Sequence, residues 1–181
     1  VGSPDLAAAR IALIGNTTAD PVSPAKVLDL HPALAILTVS GPGPGASSEL
    51  VNQLTAAHVP VVFVDFRADP LRDTIPSMRI LGTVLNREAE AREYTDFYQS
   101  HLTRITRTVA TIPAQQRPKV FIEMLAAMRE SCCHTAGKGN MGAFIEAAGG
   151  RNIAAPLLPG YLGDIALEKV IASDPDIYIA D

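Results

Sequence analysis

The chain has 181 residues, is 48% hydrophobic and carries a formal net charge of −4 at pH 7. That is enough apolar chain to bury a core in one domain or two small lobes, and the lack of a basic excess argues against an electrostatic nucleic-acid binder. No apolar run approaches the ~20 residues of a membrane span, and the opening VGSPDLAAAR has neither the basic start nor the long apolar stretch of a signal peptide.

In chain order, the first readable unit is PAKVLDLHPALAIL (24–37). A short helix must end before Pro32, because the residue preceding proline is disfavoured in the α region, and an apolar strand follows. SSELVNQLTAAH predicts a helix capped by Ser47 or Ser48, and PVVFVD (60–65) a β-branched strand, so the segment from Leu34 to Asp65 reads as strand–helix–strand. From Arg87 to Val109, the positions Ala91, Tyr94, Tyr98, Leu102 (or His101), Ile105 and Val109 recur at three- and four-residue steps with no internal Gly or Pro. This predicts one helix of about 35 Å, a strut longer than one small lobe needs.

Pro113 and Pro118 end the strut and KVFIE (119–123) predicts a strand. A polar, glycine-rich stretch leads into NMGAFIEAAGG, a helix with Asn140 as N-cap and Gly149–Gly150 as its left-handed stop. NIAAP reads as a short strand, LLPGYLGD as a loop, and IALEKVIASD as the last helix, opened by Asp164. The chain closes on LEKVIASDPDIYIA (167–180), which aligns without gaps to residues 24–37 and shares Lys26/Lys169, Val27/Val170, Pro32/Pro175 and Ile36/Ile179. Both copies end in near-continuous apolar strands of the kind that are covered on both faces. The repeat fits two similar α/β lobes, although helix–proline–strand is also a common α/β phrase.

GKGNMG (137–142) spells GxGxxG, but the dinucleotide fingerprint needs a strand directly before it and an acid about 20 residues on. The strand KVFIE lies more than a dozen residues upstream, which disfavours a nucleotide or NAD site; the loop could still offer backbone N–H groups to an anion, or be a plain turn. Cys132, Cys133 and His134 are adjacent and so cannot readily converge on one metal ion. A semi-buried thiol pair or a vicinal disulfide beside the ligand cleft is expected instead. His31, His58, His101 and His134 are too scattered to assemble a zinc or manganese receptor. Glu123, at a strand end, reads as a hydrogen-bonded residue that holds the following loop rather than as a catalytic acid. Arg67, Arg129 and Tyr161 fall in loops of the kind where open α/β sheets bind ligands.

With the repeat, the strut, VFIE, CCHTAGKGNMGAFIEAAGGRNIA and LPGYLGDIALEKVIASDPDIYIA in view, the chain resembles the substrate-binding proteins of bacterial ABC importers for ferric siderophores, haem and cobalamin. The most specific element is AGG-NIA followed by L-E-x-V-x-x-x-x-P-D. The resemblance implies an α/β fold of two Rossmann-like lobes with parallel sheets joined by one long helix: a partial N-terminal lobe over 1–86, the linking helix over 87–110 and a partial C-terminal lobe over 111–181. The chain is then expected to be an internal portion of a longer protein.

The resemblance further implies a non-enzymatic protein at the periplasm or outer face of the cell membrane. It would be a monomer without a cofactor that captures a ferric siderophore between its lobes and delivers it to a membrane permease. Haem or cobalamin is the alternative ligand, and a nucleotide-dependent α/β enzyme the alternative class. Arg67, Arg129 and Tyr161 are expected to contact ligand, and Ser40, Phe66, Met124 and His134 complete the expected set. Glu168 is expected to dock the permease, with Leu167, Val170 and Ile171 turned to the core. The position aligned with it in the first copy is Ala25, so a symmetric glutamate pair is missing, and Asp29 is a nearby substitute.

Overall fold

The computed structural model describes residues 22–38, 48–126 and 128–180. The chain divides into two units: the described residues of 1–37 and 42–62 form the first, and those of 63–181, with Thr38, the second.

In the first unit, α1 (Pro24–Asp29) starts on Ser23, whose side chain accepts from the Lys26 amide at 3.5 Å, with Pro24 in the first turn, where a missing N–H costs nothing. β1 (Ala35–Thr38), α2 (Ser48–Ala56) and β2 (Val61–Val64) follow, and β1 and β2 form a two-stranded sheet. Val27, Ala35 and Leu54 make the buried core, packed by Leu28, Leu50, Val59 and Val61. The helix–proline–strand reading of residues 24–37 therefore holds. The expected cap of α2 at Ser47 lies outside the described residues.

The second unit opens with a helix the sequence reading did not contain, α3 (Pro70–Val84). Its start is well specified: Asp69 caps it by accepting from the Arg72 amide at 3.2 Å, and Pro70 fills the first turn. Pro76 lies inside it. α3 packs on α4 (Glu88–Ala110), an unbroken 23-residue helix as predicted. Gly82 allows the approach: a Cβ there would stand 2.5 Å from that of Ala91. The buried line on α4 is Ala91 and Thr95, continued by the half-buried Tyr98, Leu102 and Val109. Tyr94 and Ile105, expected in the stripe, are more than 40% exposed. Tyr98 donates its hydroxyl to the Pro70 carbonyl at 3.1 Å, fixing one helix to the other's start.

β3 (Lys119–Glu123) is the centre of a three-stranded parallel sheet ordered β5 (Arg151–Asn152), β3, β7 (Ile177–Ala180). Successive side chains of a strand point to opposite faces, and here both faces are filled. Val120 and Ile122 join Ala136 and Ile145 on one side, and Phe121 joins Cys133, Ile153 and Val170 on the other. β7 departs from expectation. Read as a strand covered on both faces, it is exposed along its whole length, because it is the outer strand and pairs with β3 alone among the described residues.

β4 (His134–Ala136) and β6 (Leu162–Asp164) form an antiparallel pair, with His134 opposite Asp164. This corrects two expectations: the end of LLPGYLGD is strand rather than loop, and Asp164 sits in that strand rather than opening a helix. The last helix, α6 (Leu167–Ser173), is capped by Ala166. Only its Val170 is buried; Leu167 and Ile171 are 50% and 66% exposed, so they do not face the core as expected. Seven residues give two turns, and one residue meets the sheet.

α5 (Asn140–Ala147) also corrects the reading. Its N-cap is Gly139, at φ +102°, and Asn140 is its first helical residue, at φ +47°. Its far end is as expected: Gly149, at φ +89°, and Gly150 return their amides to Glu146 and Ile145 at 3.1 and 2.9 Å, the double bond of a left-handed helix stop. Gly149 rests against Val109 of α4, to which a Cβ would come within 3.2 Å. No described helix is long and apolar enough to cross a membrane.

Candidate ligand-binding site

The site grows from the turn that follows β2. Asp65 shapes it, its Oδ1 accepting the amides of Arg67 and Ala68 at 2.7 and 2.9 Å. Ser77 of α3 donates to the Asp65 carbonyl at 3.0 Å and accepts from the Asp65 amide at 2.9 Å, so the turn is held from both sides. A carboxylate that binds backbone two and three residues ahead is a standard turn former, and the signal was present in the quoted VVFVD.

The turn is clamped to the glycine loop before α5. Asn140 donates its side-chain amide to the Arg67 carbonyl at 2.7 Å and its backbone amide to the Ala68 carbonyl at 2.9 Å. Asn140 Oδ1 accepts the Met141 amide at 2.8 Å. Gly139 permits the contact, since a Cβ there would collide with the Ala68 carbonyl oxygen and stand 3.4 Å from the Tyr161 Cβ. Gly137 in turn donates to the Tyr161 carbonyl at 2.9 Å. The two loops and Tyr161 thus border one cleft of about 380 Å³, lined by Ala68, Asp69, Arg72, Lys138, Gly139, Pro159, Gly160 and Tyr161. Arg72 is bound to Asp73 at 2.7 and 2.8 Å and lies 3.5 Å from Asp69. The hydrogen bond from Arg72 holds the Asp73 carboxyl below its ordinary range.

The glycines of GKGNMG therefore serve packing. A short strand, β4, directly precedes it, contrary to the gap inferred from KVFIE, but that strand is antiparallel to β6 and lies outside the β3 sheet. The first amides of α5 are occupied by Ala68 and by the Asn140 side chain, which leaves little of the backbone anion cradle that the loop's glycines suggested.

A second group lies on the other strand pair. Asp164 Oδ1 accepts from Arg129 Nη2 at 3.0 Å and lies 3.0 Å from His134 Nδ1. Cys132 and Cys133, between the Arg129 loop and β4, are joined in a vicinal disulfide; Cys132 is exposed and Cys133 is fully buried against Phe121, Ile153 and Val170. Glu123 is hydrogen-bonded, as read, but it accepts the Tyr178 hydroxyl of β7 rather than holding the loop that follows its own strand.

Of the expected ligand residues, Phe66 and Arg67 are exposed on the clamped turn and Tyr161 is half-buried in the cleft wall. Arg129 and His134 are brought together by Asp164. Met124 packs against Val120 and Ile122 and donates its amide to the His134 carbonyl at 2.7 Å. Ser40 lies outside the described residues. Glu168 is exposed in the first turn of α6. The residues missed in the sequence are Asp65, Asn140 as a clamp, and Asp164 as the shared acceptor.

Residues 5–181 match a family model described as periplasmic binding protein. No curated protein matches the chain. Solved structures do. A periplasmic haem-binding protein from Roseiflexus sp. RS-1 in apo form is similar at 23% identity and TM-score 0.69, over 88% of this chain and 58% of that one. A periplasmic haem-binding protein from Pseudomonas aeruginosa is similar at 25% identity and TM-score 0.67, over 88% and 55%. An ABC transporter solute-binding protein from Sulfurospirillum deleyianum is similar at 19% identity and TM-score 0.74, over 95% and 52%. The chain thus spans little more than half the length of these structures.

Proposed function

The chain belongs to the periplasmic binding protein family, and from that premise we propose that it is the solute-binding part of an ABC importer for an iron chelate, a ferric siderophore. It binds and releases without turnover, as a monomer, at the periplasm or outer face of the cell membrane. The observation that carries the reading is the clamp by Asn140, which holds the Arg67 carbonyl on the turn after β2 and brings that turn beside a cleft with Tyr161 in its wall. Arginine pairs with chelate oxygens through a planar fork of donors, and tyrosine supplies an aromatic wall with a hydroxyl. In this reading the lobes are 1–86 and 111–181, the helix over 87–110 links them, and Glu168 meets the permease.

Haem is the second reading. It is favoured by His134, whose Nδ1 is held by Asp164, the arrangement in which a carboxylate orients an imidazole and raises the basicity of its other nitrogen toward iron. Several of the similar structures are described as haem-binding proteins.

The test is a calorimetric and absorbance titration of the full-length protein with ferric trihydroxamate, ferric tricatecholate and haem. Saturable one-to-one binding of a siderophore supports the first reading. A Soret shift lost in His134→Ala supports the second. Binding of none of the three rejects the receptor.

A further inference from the structure

We infer that the cleft beside Gly139 is a subsite for an acidic arm of the ligand, a free carboxylate carried by the iron chelate, with Lys138 as its charge partner. This rests on the reading of the chain as an iron-chelate receptor and adds which part of the chelate is recognised here.

Most polar groups at the cleft are already committed. The guanidinium of Arg72 is spent on Asp73 and Asp69. Asp69 also accepts the Arg72 amide and so caps α3. Three of the loop's backbone donors are spent as well: Gly137 on the Tyr161 carbonyl, Asn140 on Ala68, and Met141 on the Asn140 side chain. Two side-chain groups remain. The Lys138 ammonium is exposed and has no hydrogen-bond or ion-pair partner among the described residues, and the Tyr161 hydroxyl likewise has none.

A cleft whose uncommitted side chains are one cation and one hydroxyl donor selects an acceptor with negative charge. A lysine ammonium attracts it as a compact point charge, without demanding the planar geometry that an arginine would. At about 380 Å³ the cleft is at the lower end of ligand-site volumes, which suits one arm of a chelate better than the whole. The iron-bearing body would lie toward Arg67, whose guanidinium is also exposed and without a partner among the described residues. Such a carboxylate has two sources, a carboxylate-bearing siderophore and the propionates of haem.

The experiment uses matched pairs on the full-length protein: ferric citrate-type siderophore against neutral ferric trihydroxamate, and haem against its dimethyl ester. Wild type is expected to favour the acid member of one pair about tenfold, the scale of one hydrogen bond to a charged group, with a preference that shrinks as salt is raised. The pair that shows it identifies the source. Lys138→Glu is expected to lower affinity for the acid member about tenfold more than for its neutral partner, and Lys138→Arg to restore the preference in part. Circular dichroism verifies that the variants fold. A preference that survives Lys138→Glu, or equal loss for both members, overturns the subsite while the receptor reading stands. Failure of wild type to bind any of the four overturns both.

Discussion

The side-chain amide of Asn140 donates to the backbone carbonyl of Arg67 at 2.7 Å, across 73 residues of sequence. Asn140 is nearly buried and sits at φ +47°, a region that asparagine tolerates better than most side chains. Asn140→Ala strips a partner from the Arg67 carbonyl and the Met141 amide and leaves a Cβ in a left-handed conformation. The expected cost is about 3 kcal/mol. Asn140→Gly loses the same bonds but relieves the backbone, and should recover about 1 kcal/mol. Urea unfolding of the two variants checks this; equal costs would show that the backbone conformation contributes nothing.

Gly142 and Gly160 make a controlled pair. A Cβ at Gly142 would overlap the Gly137 carbonyl oxygen and come within 2.6 Å of Asn152 Nδ2, which donates to the carbonyls of Ala136 and Gly137 at 2.8 and 2.9 Å. A Cβ at Gly160 would meet nothing nearer than 3.9 Å. Gly142→Ala should therefore destabilise by about 3 kcal/mol and Gly160→Ala by less than about 0.5 kcal/mol, as read from chemical denaturation.

The Arg72–Asp73 pair gives a pH dependence. The hydrogen bond from Arg72 lowers the Asp73 carboxyl in the folded chain, so its contribution is present above the unfolded pKa and is lost as pH falls through the lowered folded value. Arg72 is largely exposed, so solvent and salt screen the pair and keep the contribution small. Asp73→Asn should thus be slightly less stable than wild type at neutral pH, and the gap should close on acidification below the ordinary carboxylate range. Thermal melts across pH measure it; a gap that widens in acid contradicts the pairing.

Glu168 is exposed and contributes little to folding. Glu168→Ala should leave stability within about 0.5 kcal/mol of wild type and chelate affinity unchanged, while uptake by the assembled importer falls, and falls further at high salt. Normal uptake by the variant would remove Glu168 from the docking surface.

What could be read in the sequence followed the strength of local signals. β3 was legible because VFI is a short apolar run bounded by proline and buried on both faces, and α4 because 23 residues pass without a breaker. α3 was not read, because Pro76 looks like a stop. The Asp-Pro start at residues 69–70 was the available counter-signal, since aspartate caps and proline at the first turn loses no hydrogen bond. β4 and β6 are three residues each and pair across a gap of about 30, so neither has a periodicity to find. The same distance hid Asp164: its bonds to Arg129 and His134 exist only once the antiparallel register is set. Arg67, Tyr161 and Glu168 were legible as loop or first-turn positions, but what surrounds them was not.

α5 has a mechanical consequence. It begins on the Ala68 carbonyl through the Asn140 amide and ends where Gly149 presses on Val109, close to the last turn of α4. Eight residues make a rod of about 12 Å, and a helix transmits axial force with little compression because every turn is hydrogen-bonded to the next. One hydrogen-bonded element thus spans from the Ala68 carbonyl to the Val109 side chain. Were a chelate to bind at the Ala68 turn as proposed, the methyl signals of Val109 would report any change in packing at the other end of that element.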